Sequence, residues 1–117
     1  GLFETALEPG EIITHFEIPR PEVAHYEKFA NLASRFAIVG VFVARTGGEV
    51  RVAVTGASTH AFRCKVIEEA LMADFSPAAL QGVDIPSDAL TSDIHAPAAY
   101  RAHLMRVLAM KAVKASI

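Results

Sequence analysis

The sequence predicts an α+β fold: an antiparallel sheet of three or four strands followed by about three helices packed on one face, a two-layer sandwich. Three observations predict it. The first half of the 117 residues holds runs of alternating or continuous apolar, β-branched residues. A Gly-Gly pair joins two of these runs. The second half has apolar residues at helical spacing behind Ser-Pro and Pro starts. Strands that come first and helices that follow must pack as two layers, because each helix needs a sheet face on which to bury its stripe.

The elements follow in order. Ile12, Phe16 and Ile18 alternate with Ile13, His15 and Glu17, as in a half-buried strand, and Pro19-Arg20-Pro21 stops it. Tyr26 to Asn31 reads as a second strand, with Tyr26, Lys28 and Ala30 on one face. Phe36 to Ala44 is apolar on both faces and fits a central strand covered on both sides. Thr46-Gly47-Gly48 is a turn, and Val50, Val52 and Val54 return as the second arm of a hairpin. Between about Ala61 and Ala73, the residues Val66, Ile67, Ala70 and Leu71 give one helical face, with Ser58 or Thr59 as its cap. Ser76-Pro77 opens a short helix. Gly82 to Thr91 is irregular. Pro97 opens the longest helix, with Tyr100, Leu104, Val107 and Leu108 as its buried stripe and Arg106, Lys111 and Lys114 in its C-terminal half. No repeat or internal linker breaks the chain, so residues 1–117 read as one domain.

Composition excludes several function classes. The chain is 52% hydrophobic and 21% charged, which argues against disorder. A net charge of -2 lacks the basic surplus of a nucleic-acid binder. The longest apolar run, Phe36 to Ala44, is too short to span a bilayer. Cys64 is the single cysteine, so no internal disulfide and no self-held iron–sulfur cluster is expected. A cytoplasmic location is the expectation. The start, Gly1-Leu2-Phe3, has neither an initiator Met nor a signal peptide and reads as an excised fragment.

No self-contained active site is visible. His15, His25, His60, His95 and His103 show no metal-ligand spacing. Cys64, near a helix start, is either an activated thiol or a small buried side chain, and the second reading is preferred. Thr55-Gly56-Ala57-Ser58-Thr59 links a strand to a helix but lacks the spacing of a phosphate-binding loop. Lys28 and Arg35 lie just before the most apolar strand, where either could meet an anion or a cofactor edge.

Several segments, taken in order, resemble one family. They are Gly1 to Ile13 with Thr5, Leu7 and Glu11, the strand ending Ile18-Pro19, Tyr26-Glu27-Lys28-Phe29, and Phe36 to Val41. The strand ending Thr55-Gly56 follows, and then Ser92-Asp93-Ile94-His95-Ala96 leading to Tyr100-Arg101. Together they resemble the C-terminal domain of the FAD-binding medium subunit of the carbon monoxide dehydrogenase/xanthine dehydrogenase family of molybdenum hydroxylases.

The resemblance implies an oxidoreductase that acts only as part of a multi-subunit enzyme. FAD is held mainly by an N-terminal region of the same subunit, and this domain helps enclose the flavin. The implied partners are a large molybdopterin subunit and a small subunit with iron–sulfur clusters. Electrons pass through those clusters to FAD and then to an acceptor. The residues implied to lie near flavin are Lys28, Ser34, Arg35 and Phe36, in and before the loop that starts at Leu32. Two departures stand out. The family often has Arg where this chain has Leu32, and Asp where it has Arg35. Arg35 reverses the local sign, which would favour a reduced, anionic flavin. The alternative from another class is a non-catalytic dimerisation or docking module on the same scaffold, because fold does not decide function.

Overall fold

Six valines set the geometry of the core. Val39, Val41 and Val43 on one strand, and Val50, Val52 and Val54 on the next, are all essentially inaccessible to solvent. Side chains along a strand alternate between faces, so each triplet points the same way. The computed structural model describes residues 4–117, and it builds a four-stranded antiparallel sheet in the order β1-β2-β3-β4. The strands are β1 (Val23–Ala30), β2 (Ala37–Thr46), β3 (Glu49–Thr55) and β4 (Phe62–Arg63). Register places His25 beside Val43 and Val43 beside Val52, and Val54 sits beside Phe62. One sheet face is therefore lined by valine from β2 and β3.

The helices cover that face. Helix α1 spans Lys65–Ala73, a 3₁₀ turn spans Pro77–Leu80, and helix α2 spans Ala98–Ala115. Ile67 and Leu71 of α1, Leu80 of the 3₁₀ turn, and Met105, Leu108, Ala109, Ala112 and Val113 of α2 close over the valines. Ala109 and Ala112 are small, which lets the long helix lie close to the sheet.

The α+β prediction holds, and so do several of its parts. Gly47 and Gly48 both have positive φ, 55° and 85°, as a two-residue hairpin turn with matching strand twist requires. Ser76 caps the 3₁₀ turn by accepting a hydrogen bond from the amide of Ala79, with Pro77 just inside. Pro97 stands immediately before α2, its carbonyl accepting from the amides of Tyr100 and Arg101.

Other expectations are corrected. Residues 12–18 form no strand, and Ile12, Phe16 and Ile18 are exposed. The fourth strand is instead Phe62–Arg63, within the stretch read as the start of a helix. Helix α1 therefore begins later, and neither Ser58 nor Thr59 caps it: Ser58 Oγ donates to the carbonyl of Ala89, and Thr59 Oγ1 pairs with His60 Nδ1. Val66 is exposed, while Glu68 is buried on the face that was read as wholly apolar. Strand β2 is covered on one side only. Phe42 is exposed on the other face, and Phe36 lies outside the strand altogether. The stripe of α2 is rotated from the one expected. Leu104 and Leu108 are buried, but Arg101 and Met105 replace Tyr100 and Val107 at its centre. There are two α-helices and one 3₁₀ turn rather than three full helices. The opening Gly1-Leu2-Phe3 lies outside the described residues.

Glu68 is held by geometry that burial demands. A buried carboxylate without partners is unstable. Here it accepts from the amide of Val52 at 2.9 Å, from Arg63 Nε and Nη2 at 2.7 and 2.9 Å, and from Lys65 at 3.0 Å. Burial alone would raise its pKa, but these donors outweigh burial and hold it below the ordinary carboxylate range. The carboxylate thus joins α1 to β3 and β4.

Gly56 has φ of 76°, and a Cβ there would sit 2.6 Å from the carbonyl oxygen of Ala37 and 2.7 Å from that of Ile38. Gly56→Ala is expected to destabilise the fold by roughly 2–4 kcal/mol, from the left-handed backbone and the backbone clash together. Urea denaturation checks this, and a midpoint equal to that of the parent chain would refute it.

Candidate functional site

The connection between β1 and β2 is built by one asparagine. Asn31 Oδ1 accepts from the amides of Ala33 and Ser34 at 2.9 and 3.2 Å, an Asx turn. Its amide donates to the carbonyl of Phe36 at 2.8 Å, and its carbonyl accepts from Arg35 at 2.9 Å. Closing so short a loop puts Arg35 in the left-handed region, with φ of 64°, the one non-glycine there among the described residues. Lys28 Nζ reaches from β1 to the carbonyl of Arg35 at 3.2 Å. Ser34 Oγ accepts from the amide of Phe36 at 3.4 Å. The four residues expected near a cofactor, Lys28, Ser34, Arg35 and Phe36, therefore gather at one end of the sheet. Phe36 is 79% exposed and Leu32 94%, so the loop turns its apolar side chains outward.

A second loop meets the first. Asp93 Oδ1 accepts from the amides of His95 and Ala96 at 2.9 and 3.0 Å. Both carboxylate oxygens take hydrogen bonds from Arg101 Nη2 at 2.8 Å. Arg101 is only 3% exposed, so its charge must be matched inside the protein. Its Nη1 donates to the carbonyls of Ile38 and Gly56 at 2.7 and 2.9 Å, and its Nε to that of Ala96 at 3.3 Å. One guanidinium thereby ties the start of α2 to the beginning of β2, the end of β3 and the loop 93–96. His95 Nδ1 lies 3.5 Å from Asn31 Nδ2, which brings the two loops side by side. The cleft between them has a volume of about 270 Å³ and is lined by Asn31, Ser34, Phe36, Asp93, His95 and Arg101.

The amides of Ala96 and His95, and then the Arg101 guanidinium, hold the Asp93 carboxyl below its ordinary value. In the sequence, Asp93 and Arg101 stand only within the family-like motif, with no role attached to either. Asn31 and His95 went unassigned as well. The signal for Asn31 was available: Asn at a strand end followed by small residues is a turn signature. Nothing in sequence pairs Arg101 with carbonyls 45 and 63 residues away.

Cys64 occupies the cap position of α1 and is buried. Burial pushes its thiol pKa up, against the smaller opposite pull of the Ile67 and Val66 amides, which disfavours the thiolate. It borders a cleft of about 310 Å³ that includes His60, Pro86, Leu90 and Met105. Among the described residues no cluster of three or more His, Cys, Asp or Glu is placed to hold a metal. No helix of the described residues is long and apolar enough to cross a membrane.

No protein-family model matches the sequence, and no curated protein matches it. Solved structures match the fold. A chain of the Cu,Mo-CO dehydrogenase in its cyanide-inactivated form aligns with TM-score 0.71 at 24% identity. The reconstituted CO dehydrogenase from Oligotropha carboxidovorans aligns with TM-score 0.74 at 24% identity. Quinoline 2-oxidoreductase from Pseudomonas putida 86 aligns with TM-score 0.70 at 21% identity. Each alignment covers 97% of this chain but only 43–44% of the other, so the chain spans less than half the length of these oxidoreductase chains. At this identity the likeness establishes a shared fold.

Truncating Arg101 takes its donors from the carbonyls of Ile38 and Gly56 and breaks the ion pair with Asp93. Arg101→Met is expected to cost on the order of 3–5 kcal/mol, and Arg101→Lys to recover little, since a single ammonium cannot span carboxylate and carbonyls together. Thermal unfolding of both variants checks this, and a lysine variant as stable as the parent would refute it. Asp93 and Glu68 have folded pKa values below their unfolded ones. Their stabilisation is therefore fully present above the unfolded value, about 4, and is lost as pH falls through the folded values. Tm should be nearly flat above about pH 5 and fall below about pH 4, and the fall should be shallower in Asp93→Asn.

Proposed function

We propose that this chain is the C-terminal part of the FAD-binding medium subunit of a molybdenum hydroxylase, of the carbon monoxide dehydrogenase/xanthine dehydrogenase class. The observation that carries the reading is coverage. Nearly the whole chain, 97%, superposes on part of the chains of a CO dehydrogenase and of a quinoline oxidoreductase. The motifs that resemble the family are also the ones that build the site. Ser92 to Ala96 and Arg101 form the clamp, and Lys28 with residues 32–36 forms the outward loop. The two neighbours act on different compounds, so the shared fold serves something common to both, and the choice of substrate lies elsewhere.

The residues fit a role as one wall of a cofactor site. A complete small-molecule site usually encloses about 300–1,000 Å³. The cleft here has about 270 Å³ and is open, so this chain supplies a boundary rather than a pocket. Lys28 offers an ammonium, Ser34 a hydroxyl and Phe36 an exposed ring at the same end of the sheet. A cation, a hydroxyl and a flat apolar surface suit the edge of a flat, partly polar ring such as flavin. FAD, when bound, supplies the carrier between the iron–sulfur clusters of a small subunit and an external acceptor. The chain's own part is to shield the ring and set the charge around it. A large molybdopterin subunit and the N-terminal region of the same subunit complete the proposed assembly.

A flavin titration tests the reading. This chain alone is expected to bind no FAD, while a longer polypeptide that includes its native N-terminal region binds it. In the longer form, Arg35→Asp should lower the flavin reduction potential, because it exchanges a positive for a negative charge beside the ring. If neither polypeptide binds FAD, the reading falls and a docking module takes its place.

A further inference from the structure

Residues 11–18 carry a strand pattern without a sheet. On an extended chain the even positions Ile12, Thr14, Phe16 and Ile18 share one face, and Ile13, His15 and Glu17 the other. The apolar face is bare: Ile12 is 82% exposed, Phe16 77% and Ile18 84%. No backbone hydrogen bond joins residues 12–21 to another described residue. Backbone donors and acceptors beside so much uncovered apolar surface mark a strand whose partner is elsewhere.

The chain's own sheet does not supply that partner. The entry to β1 is pinned at Glu22, whose amide donates to the carbonyl of Arg45 and whose carboxylate accepts from the amide of Gly47. Just before it, Pro19 and Pro21 have no N–H to donate, and no backbone hydrogen bond ties residues 12–21 to the free edge of β1. The segment leaves across the uncovered sheet face. Ile18, Pro19 and Pro21 line a groove of about 410 Å³ with Phe42, Ala44 and Ala53. The apolar surface runs from the segment onto Phe42, Ala44 and Ala53, and Thr46, Glu49, Arg51 and Arg63 border it.

We propose that residues 12–18 add as a strand to the free edge of a sheet in the remainder of the same, longer polypeptide, and that the open sheet face packs against that body. The occupant follows from length. The structurally similar chains are more than twice as long as the region this chain matches, so a body large enough to hold such a sheet is present in each. Strand addition satisfies the free backbone groups and covers Ile12, Phe16 and Ile18 in one step. The proposal rests on the reading of this chain as part of a flavin-binding subunit.

Hydrogen–deuterium exchange on the intact longer polypeptide tests it, with FAD content measured on the same sample. Amides 12–18 should exchange at least about tenfold more slowly than their intrinsic, unprotected rates. Phe16→Asp should abolish that protection, whereas His15→Asp, on the opposite face, should leave it intact. Fast exchange at 12–18 in a polypeptide that retains FAD would overturn strand addition and leave the functional reading standing. Protection that disappears on dilution, together with a doubled particle mass, would make a second copy the partner and overturn the proposal. Protection in a folded polypeptide without FAD would support strand addition while removing the flavin reading.

Discussion

A charged guanidinium with almost no access to water is the constraint on which this end of the molecule depends. Arg101 stands in the first turn of α2, directed into the protein, where an unmatched charge would be intolerable. Its partners come from three separate places: Asp93, the carbonyls of Ile38 and Gly56 at adjoining strand ends, and the carbonyl of Ala96. All must be in position together, so strand ends, helix start and loop are fixed as a unit. Gly56 belongs to the same arrangement, because any side chain there would collide with the carbonyls of Ala37 and Ile38. The outward loop 31–36 lies against this rigid base and is itself closed by Asn31.

At the other end of the core, Glu68 has the corresponding role with the sign reversed. It is a buried carboxylate surrounded by Arg63, Lys65 and the Val52 amide, and it locks α1 to the short edge strand β4. Between these two polar anchors the core is made of valine, leucine and alanine. The anchors add specificity of position where apolar contacts alone would allow sliding. Only one face of the sheet takes part. The other, with Phe42 at its centre and Tyr26 lying over Gly40, is covered by no helix of the described residues.

This one-sidedness gives the proposed function its physical form. A sandwich with one covered face and one bare face has a core of its own and an unfinished surface. Its outward loop bears Leu32, Phe36 and nearby Lys28, and its N-terminal segment bears Ile12, Phe16 and Ile18. No complete pocket or metal cluster is found among the described residues, and the chemistry of the proposed enzyme would reside on its cofactors. In that proposal the chain would contribute shape and charge at the boundary of a cofactor site.

Local signals in the sequence were enough to determine the α+β class, the Gly47-Gly48 hairpin, the Ser76-Pro77 turn and the helix behind Pro97. Each of these depends on residues that are neighbours along the chain, through backbone φ, capping or periodicity. Sequence position singles out Lys28 and Arg35, the family resemblance adds Ser34 and Phe36, and the structure gathers the four at one end of the sheet; their meeting a cofactor is the proposal. Alternation at 12–18 predicts a half-buried strand, but the described residues supply no partner for it and the segment forms no strand there. Whether Phe62-Arg63 became helix or strand, and which face of β2 was covered, depended on contacts with residues far along the chain. The same holds for Arg101 and Glu68. A buried charge looks like any surface charge in sequence, and only the tertiary structure brings Arg101 the carbonyls of Ile38 and Gly56, and Glu68 the amide of Val52, that help each to stay buried.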